Sequence, residues 1–532
     1  MNETLYSQAL ADLLPRLLPE MVLALTACVV FIGGAWRPNR HLWAWISLGG
    51  FSAALGALGY MLCPCHPALT GLKRDIALYA TPVFFDDLGA LIRFVAYAGG
   101  ILLLLLSWNE VADRQASDHH ACLLLVAAGA GLVGVANDLV MLFVALEMIS
   151  IPTYIMLYLP RHDDASQEAA LKYFLLSVFA SAITLFGFSY LYGLAGTTNI
   201  PSMVRALNGH GGELPAISSV ALIMVVAGMG ARITAVPFHF YAPDVYQGAP
   251  TSGASLLAFI PKIAGFVALL KLLGFVLPAG IEPRDGYIGM AVSPQTPMFI
   301  FFLAAFTMSV GNLLALLQDN LKRILAYSSV AHAGYMLMAL AAAPYLRQRG
   351  DLGPDGVQAL LYYLVAYGSM TIGAFAVIAY LDSRERPVEI VDDVAGLSRS
   401  HPVVALVMAL FMFSLIGIPL TAGFTGKFLI FFGTMSVPGD QAGFYRTLAL
   451  IGAINAAIGG WYYLRIVAVM YLRSPLQAPT PKRNTPGILT LAICAALTLG
   501  LSVPPLSNWL LKATGSAAGI MSETPARGAA AR

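Results

Sequence analysis

The chain has 532 residues, 58% hydrophobic and 11% charged, with a formal net charge of +2 and a mean hydropathy of +0.75. Soluble domains carry about 25% charged residues, so a single soluble core is excluded, and a charge this small gives no argument for nucleic acid. A polytopic membrane protein remains.

The opening "MNETLYSQALADLLPRLLPEM" lacks the basic region and small-residue cleavage site of a signal peptide, and reads as a short tail before a retained first helix. Apolar runs of roughly 20 residues, the length that crosses the hydrocarbon layer, then recur along almost the whole chain. We count about fourteen, near 19–36, 42–62, 86–107, 119–136, 138–159, 167–194, 216–246 (interrupted), 250–277, 296–317, 322–343, 356–381, 402–433, 446–472 and 485–511. Only helices or closed barrels satisfy the backbone in lipid, and runs this continuous are helices, since barrel strands are short and alternating. The expected fold is an all-α polytopic membrane protein. The longest loops, 278–295 and 382–401, read as linkers, and the C-terminal "GSAAGIMSETPARGAAAR" as a disordered end.

Lys and Arg in short loops set orientation. Arg37, Arg40, Arg114, Arg161, Lys322, Arg323, Arg384, Arg386, Arg399, Arg473, Lys482 and Arg483 fall in alternate loops; the opposite set holds Lys73, Arg74, Arg205, Arg284, Arg347, Arg349 and Arg446. The richer set should be cytoplasmic, with both termini outside. Of five cysteines, Cys28, Cys122 and Cys494 sit in apolar spans and should simply pack. "CPCH" at 63–66 has no second ligand pair at a suitable distance, so no metal is expected there.

An ionisable group at the membrane centre costs roughly 2.5–3.5 kcal/mol or more and marks a candidate site. Basic groups near span ends can snorkel, and Arg93 and Lys271 are near enough to an end, or ambiguous enough, to stand outside the candidate set. Glu147 does not: it lies mid-span in "DLVMLFVALEMISIPTYIMLYL". Lys172 lies in the next span, "EAALKYFLLSVFASAITLF", and a short loop makes the two helices antiparallel neighbours. A Glu147–Lys172 pair would offset both burials and change protonation as its separation changed; a static ion pair is the plainer alternative. Lys262, in "LAFIPKIAGFVALL", is about a dozen residues inside its helix and too deep to snorkel easily.

Two spans are interrupted. "RITAVPFHFYAPDVYQGAP" places Arg232, Pro237, His239 and Pro243 between apolar runs, and "LIGIPLTAGFTGKFLIFFG" places Gly417, Pro419, Gly423 and Gly426 just before Lys427. Proline removes a backbone donor and breaks the helix. Freed backbone at depth is tolerated only in a protein-lined or wet cavity, and paired breaks in two halves point to a transport site. Arg232 and His239 would face that cavity, with a hydrogen-bonded core histidine as the alternative for His239.

The halves also resemble each other. "DLVMLFVALEMISIPTYIMLYL" aligns with "DNLKRILAYSSVAHAGYMLMAL", setting Asp138 against Asp319 and Tyr154 against Tyr335. "AALKYFLLSVFASAITLFGFSYLYG" aligns with "QALLYYLVAYGSMTIGAFAVIAYLD". Five spans per unit invert the second relative to the first, so two inverted five-helix repeats are expected. The divisions are 1–118, a three-helix segment; 119–277, the first repeat; 278–295, a linker; 296–472, the second repeat; and 473–532, a helix and tail. No P-loop, dinucleotide fingerprint, iron–sulfur cysteine set or haem motif is present.

Together "LEMISIPTYIM", "EAALKYFLL", "AVPFHFYAPDVYQGAPT", "GNLLALLQDNLKRILAYSSVAHAGYM" and "GIPLTAGFTGKF" resemble the N-type antiporter-like subunits of complex I, the proton-pumping NADH–quinone oxidoreductase. "PDVYQGAPT" favours the N-type over L-type, M-type and Mrp-type relatives. The resemblance implies proton translocation in the cell inner membrane, with M-type and K-type membrane subunits and lipid as partners. It implies no cofactor in this chain, with FMN, iron–sulfur clusters and quinone in partner subunits. On matching positions it makes Glu147 and Lys172 a switchable pair, Lys262 the central proton carrier, Lys427 an exit or connecting group and His239 a link between them. The family's broken-helix lysine falls at Arg232, which cannot deprotonate and is expected to act as a fixed charge. An Mrp-type cation/proton antiporter and a passive membrane scaffold are the rival readings.

Overall fold

A computed structural model of the chain describes residues 13–63, 81–159, 163–208, 216–274, 296–347, 355–382, 387–474 and 485–519. The 278–295 linker, Cys65 and His66, the C-terminal end, and loop cations such as Lys73, Arg161, Arg284, Arg384 and Lys482 lie outside the described residues.

The described residues form α-helices α1 (Leu18–Trp36), α2 (Arg40–Met61), α3 (Asp87–Ser107), α4 (Ala116–Val135), α5 (Leu139–Tyr158), α6 (Asp164–Ala195) and α7 (Ile200–Asn208). They continue with α8 (Ala216–Ile233), α9 (Ala242–Gly248), α10 (Thr251–Leu272), α11 (Thr296–Leu316), α12 (Leu321–Arg347) and α13 (Gly356–Leu381). Then follow α14 (Pro402–Ile416), α15 (Ala422–Met435), α16 (Ala442–Leu472), α17 (Thr485–Gly500) and α18 (Leu506–Ala517). Eleven described helices are long and apolar enough to cross a membrane, and three shorter apolar helices cover Ile217–Ile233, Pro402–Ile416 and Thr485–Gly500. The chain is a multi-pass, all-α membrane protein.

Starts are set locally by short polar side chains that satisfy first-turn amides. Asn39 accepts from His41 and Leu42, Asp86 from Gly89, Asp138 from Val140, and Asp163 from Ser166. Packing then sorts the helices. Every residue of α10 is buried, and α12 is equally enclosed, so these two form the axis of the bundle. α1 and α6 lie outside and present Leu25, Phe31, Phe174 and Phe179 outward, the apolar surface lipid would cover.

Both expected breaks are present. α8 ends at Ile233 and α9 resumes at Ala242; α14 ends at Ile416 and α15 resumes at Ala422. Each break holds a non-glycine residue in the left-handed region, Thr234 at φ 60° and Leu420 at φ 70°. Such a backbone persists only where its surroundings hold it. Gly417, at φ 94°, ends α14 where a side chain would be strained. A Cβ on Gly423 would stand 1.9 Å from the Ser414 carbonyl oxygen, because the two halves of the broken helix cross backbone to backbone. Gly423→Ala is therefore expected to cost about 1–3 kcal/mol of packing strain, read as a lower unfolding temperature of the purified protein.

A two-bond clasp recurs. The Leu139 amide donates to Thr198 O (2.8 Å) and the Ile200 amide to Asn137 O (2.9 Å). In the second half the Leu321 amide donates to Glu389 O (2.7 Å) and the Val391 amide to Asp319 O (3.0 Å). The 382–401 segment, expected only as a linker, thus packs in its described part: Val391, Val394 and Leu397 are buried.

The two basic residues outside the candidate set are both buried in protein. Arg93 is fully buried and donates to Glu20 of α1 at 2.7 and 2.8 Å, with Tyr97 donating to the same carboxylate. Lys271 donates to the Gly134 and Ala136 carbonyls at the end of α4.

Candidate functional site: a buried polar axis

Lys262 sits midway along α10 with no exposed surface. Its Nζ donates to Ile233 O (3.1 Å), Thr234 Oγ1 (3.1 Å) and Ser329 O (2.6 Å). Three acceptors match the three protons of an ammonium. Two of them belong to the end of α8, where unpaired carbonyls and the helix dipole favour a cation. Tyr367 lies beneath, its ring centroid 5.9 Å from Nζ.

Lys427 repeats the arrangement at the other break. It lies in the resumed half, α15, and its Nζ donates to Leu415 O (2.7 Å) and Ile416 O (2.9 Å) at the end of α14. Its third side faces the Tyr335 ring at 4.9 Å. The breaks thus do two things at once: they free carbonyls at depth and place a lysine on them.

Between the lysines runs α12. Lys262 meets it at Ser329 and Lys427 at Tyr335, and midway His332 is buried. His332 Nδ1 is 2.6 Å from Tyr363 Oη and Nε2 is 3.0 Å from Tyr463 Oη, which in turn bonds Ser328. Sequence reasoning misses this residue, because a lone histidine in an apolar helix resembles core packing. The signal available is its spacing, three residues from Ser329 and three from Tyr335, which lines the three along one side of α12. His332→Phe would take this partner from the Tyr363 hydroxyl, at about 1–3 kcal/mol for a buried group stranded, while Tyr463 keeps its bond to Ser328; the expected result is a lower unfolding temperature.

The third cation is Arg232, at the end of α8. Its Nη2 donates to Glu147 Oε1 (2.9 Å) and Ser181 Oγ (2.9 Å), and its Nη1 to Ser150 Oγ (2.6 Å) and Leu146 O (3.3 Å). Glu147 also accepts from Ser181 Oγ at 2.5 Å. The Glu147 side chain is 22% exposed, and its apolar stem joins Leu125, Phe143, Val144, Met148, Ile151 and Pro152 in lining an apolar groove of about 340 Å³.

Lys172 is not part of this cluster, which corrects the expected Glu147–Lys172 pair. Its side chain is 40% exposed and bonds Asp244 Oδ2 (2.7 Å) and Glu168 Oε1 (2.6 Å). The reason is geometric. Ser181 is the α6 residue that meets Glu147, and Lys172 lies nine positions earlier, about 13.5 Å along the axis and half a turn round. Asp244 is also held by Arg323 Nη1 at 2.7 Å, so it ties α6 and α12 to α9.

His239 lies half-buried in the first break. Among the described residues no hydrogen bond joins it to Lys262 or Lys427; the position between them is held by His332. The described residues also contain no His, Cys, Asp and Glu cluster that could hold a metal ion.

Residues 136–452 match the family described as NADH:quinone oxidoreductase/Mrp antiporter, TM. The chain is 35% identical to "NADH-quinone oxidoreductase subunit N 1" of Solibacter usitatus, over 95% of this chain and 97% of that relative. It is 36% identical to "NADH-quinone oxidoreductase subunit N" of Desulfovibrio desulfuricans, over 94% and 96%. In structure it is similar to a chain of respiratory complex I from Thermus thermophilus with bound aureothin, with a TM-score of 0.73, 28% identity, and coverage of 94% of this chain and 99% of that one. A chain of the Mrp complex from Dietzia shares the fold, with a TM-score of 0.75 at 18% identity over 96% and 97% of the two chains. A motif set in order, a bundle interrupted twice and relatives aligned over nearly their whole length agree: the chain belongs to the NADH:quinone oxidoreductase/Mrp antiporter membrane family, among its NADH-quinone oxidoreductase subunit N members.

Proposed function

We propose that this chain is a proton-translocating membrane-arm subunit of an NADH–quinone oxidoreductase in the cell inner membrane. The observation that carries the reading is Lys262, an amine fully enclosed in protein at the end of a broken helix and joined through α12 to a second such amine, Lys427. A scaffold has no use for two buried ammonium groups, each costing several kcal/mol to desolvate.

The division of labour follows from the chemistry of each side chain. Arg232 keeps its proton and acts as a fixed charge on Glu147. Glu147, whose side chain borders the outer groove, is where a charge on an adjoining subunit would be felt. Any weakening of the Arg232–Glu147 pair frees positive charge one helix-end from Lys262 and drives its proton onward. His332 and its two tyrosines then offer donors and acceptors toward Lys427. Lys172 acts from the edge, through Asp244.

The repeated clasps and paired lysine-capped breaks support two inverted five-helix repeats, 119–277 and 296–472, after a three-helix segment at 1–118. FMN, iron–sulfur clusters and quinone belong to partner subunits in this reading, with M-type and K-type subunits as membrane neighbours and both termini outside.

The test is to isolate the tagged chain in mild detergent and assay the material for flavin, iron and NADH-dependent quinone reduction. Co-purifying redox centres with that activity place the chain in the oxidoreductase. A chain that arrives without redox centres and exchanges cations for protons belongs to an antiporter instead.

A further inference from the structure

Lys262 must receive protons from one face of the membrane, and the axis through α12 only takes them away. The route in is marked by hydroxyl groups. Thr251, Ser255 and Lys262 lie four and seven residues apart on α10, which keeps them within about 40° of one face. Both hydroxyls are buried, at 1% and 0% exposure, and neither has a hydrogen-bond partner among the described residues. Buried hydroxyls are normally paired, so two in a row on one face call for an explanation.

That face meets α13. Phe259 packs on Gly368 and Lys262 stands over Tyr367, so α10 and α13 run antiparallel. Four residues back from Phe259, an antiparallel pair sets Ser255 level with Ile372, next to Thr371. Thr371 is buried, and the Tyr367 hydroxyl lies beside both Thr371 and Ser329, whose carbonyl holds Lys262. From Ser255 to Lys262 is about 10.5 Å along the helix, a gap that two or three water molecules span.

The outer end is equally defined. Glu110, half-buried in the 108–115 loop, accepts from the Thr251 amide (2.7 Å) and the Ser252 amide (3.1 Å). It places a carboxylate where the hydroxyl file reaches the surface.

We propose that Glu110, Thr251, Ser255 and Thr371 line the proton inlet of this subunit, a file of hydroxyls and ordered waters ending at the Lys262 amine. Each hydroxyl accepts one proton and passes on another, so one proton enters at Glu110, one reaches neutral Lys262, and no other atom changes owner. The inference rests on Lys262 as the proton carrier, and the test separates the two.

The assembled oxidoreductase is compared in sealed membrane vesicles with Ser255→Val, Ser255→Thr and Lys262→Met, at matched amounts of complex. Ser255→Val is expected to slow NADH-driven proton pumping about tenfold, the rate equivalent of one lost hydrogen-bonded step, and Ser255→Thr to restore it. If Ser255→Val pumps like the native complex while Lys262→Met does not, the inlet is wrong and the carrier stands. Equal impairment in the Val and Thr variants also overturns the inlet, as a packing effect. Native pumping by Lys262→Met overturns the carrier itself. Should Ser255→Val fail to assemble, Ser255→Cys decides the matter. Labelling at 255 by a small cationic thiol reagent, applied from the face of the 108–115 loop, supports the inlet; no labelling rejects it.

Discussion

Lys262→Met lowers proton pumping by about 10²-fold or more, the range lost when a positioned proton-transfer group is removed, while the chain still assembles. Methionine keeps the length and apolar stem of lysine in a helix whose every residue is buried, so the packing of α10 survives. What goes is the amine at mid-helix that can hold a proton and release it. Ile233 O, Thr234 Oγ1 and Ser329 O lose their donor, and the cost, about 1–3 kcal/mol for each group left unpaired, appears as a modest fall in unfolding temperature. Lys262→Arg sharpens the test. Arginine keeps the charge and can reach the same oxygens, but it does not release its proton. Transport is expected to fail in both variants and thermal stability to fall mainly in the first. Pumping by the arginine variant at the native rate, read with a pH-sensitive dye in vesicles, would remove Lys262 from the path.

Arg232→Met has the largest expected effect on stability. The guanidinium makes bonds to Glu147, Ser181, Ser150 and Leu146 O, which tie α8 to both α5 and α6. Removing one partner of a buried ion pair costs about 3–5 kcal/mol, and the lower end applies because the Glu147 side chain is not fully enclosed. Arg232→Met/Glu147→Gln is expected to recover most of that loss, since the uncompensated carboxylate disappears with its partner. Thermal unfolding of the four proteins in a double-mutant cycle measures the coupling. A coupling near zero would mean that the pair is incidental. Arg232→Lys should keep the charge opposite Glu147 but lose the fork that also holds Ser150 and Leu146 O, leaving stability between the other two.

Much of this architecture is legible in the sequence, for reasons that differ by residue. The spans are readable because lipid demands long apolar runs, and the breaks because proline and glycine cannot hide inside them. Lys262 and Lys427 stand out because an ammonium in such a run has few explanations. Pairing is harder. Glu147 and Lys172 lie on helices consecutive in the chain, yet Lys172 stands nine positions from the level of Glu147, while Arg232, 85 positions away, arrives beside it. His332 is hidden because its polarity is satisfied by Tyr363 and Tyr463, which come from two other helices. Arg93 resembles a snorkelling cation because the carboxylate that pairs with it, Glu20, lies 73 residues upstream.

The paired clasps at 137–139 with 198–200, and at 319–321 with 389–391, have a consequence for biogenesis. Each joins backbone on either side of a helical hairpin, so neither can form until the far segment has left the ribosome. Synthesis proceeds at roughly 5–20 residues per second, which leaves each hairpin unlatched for several seconds in the bilayer. During that interval Glu147 waits longer still, since Arg232 follows only after residue 200. The carboxylate therefore enters the membrane before its counter-ion exists, and the insertion machinery must accept it alone.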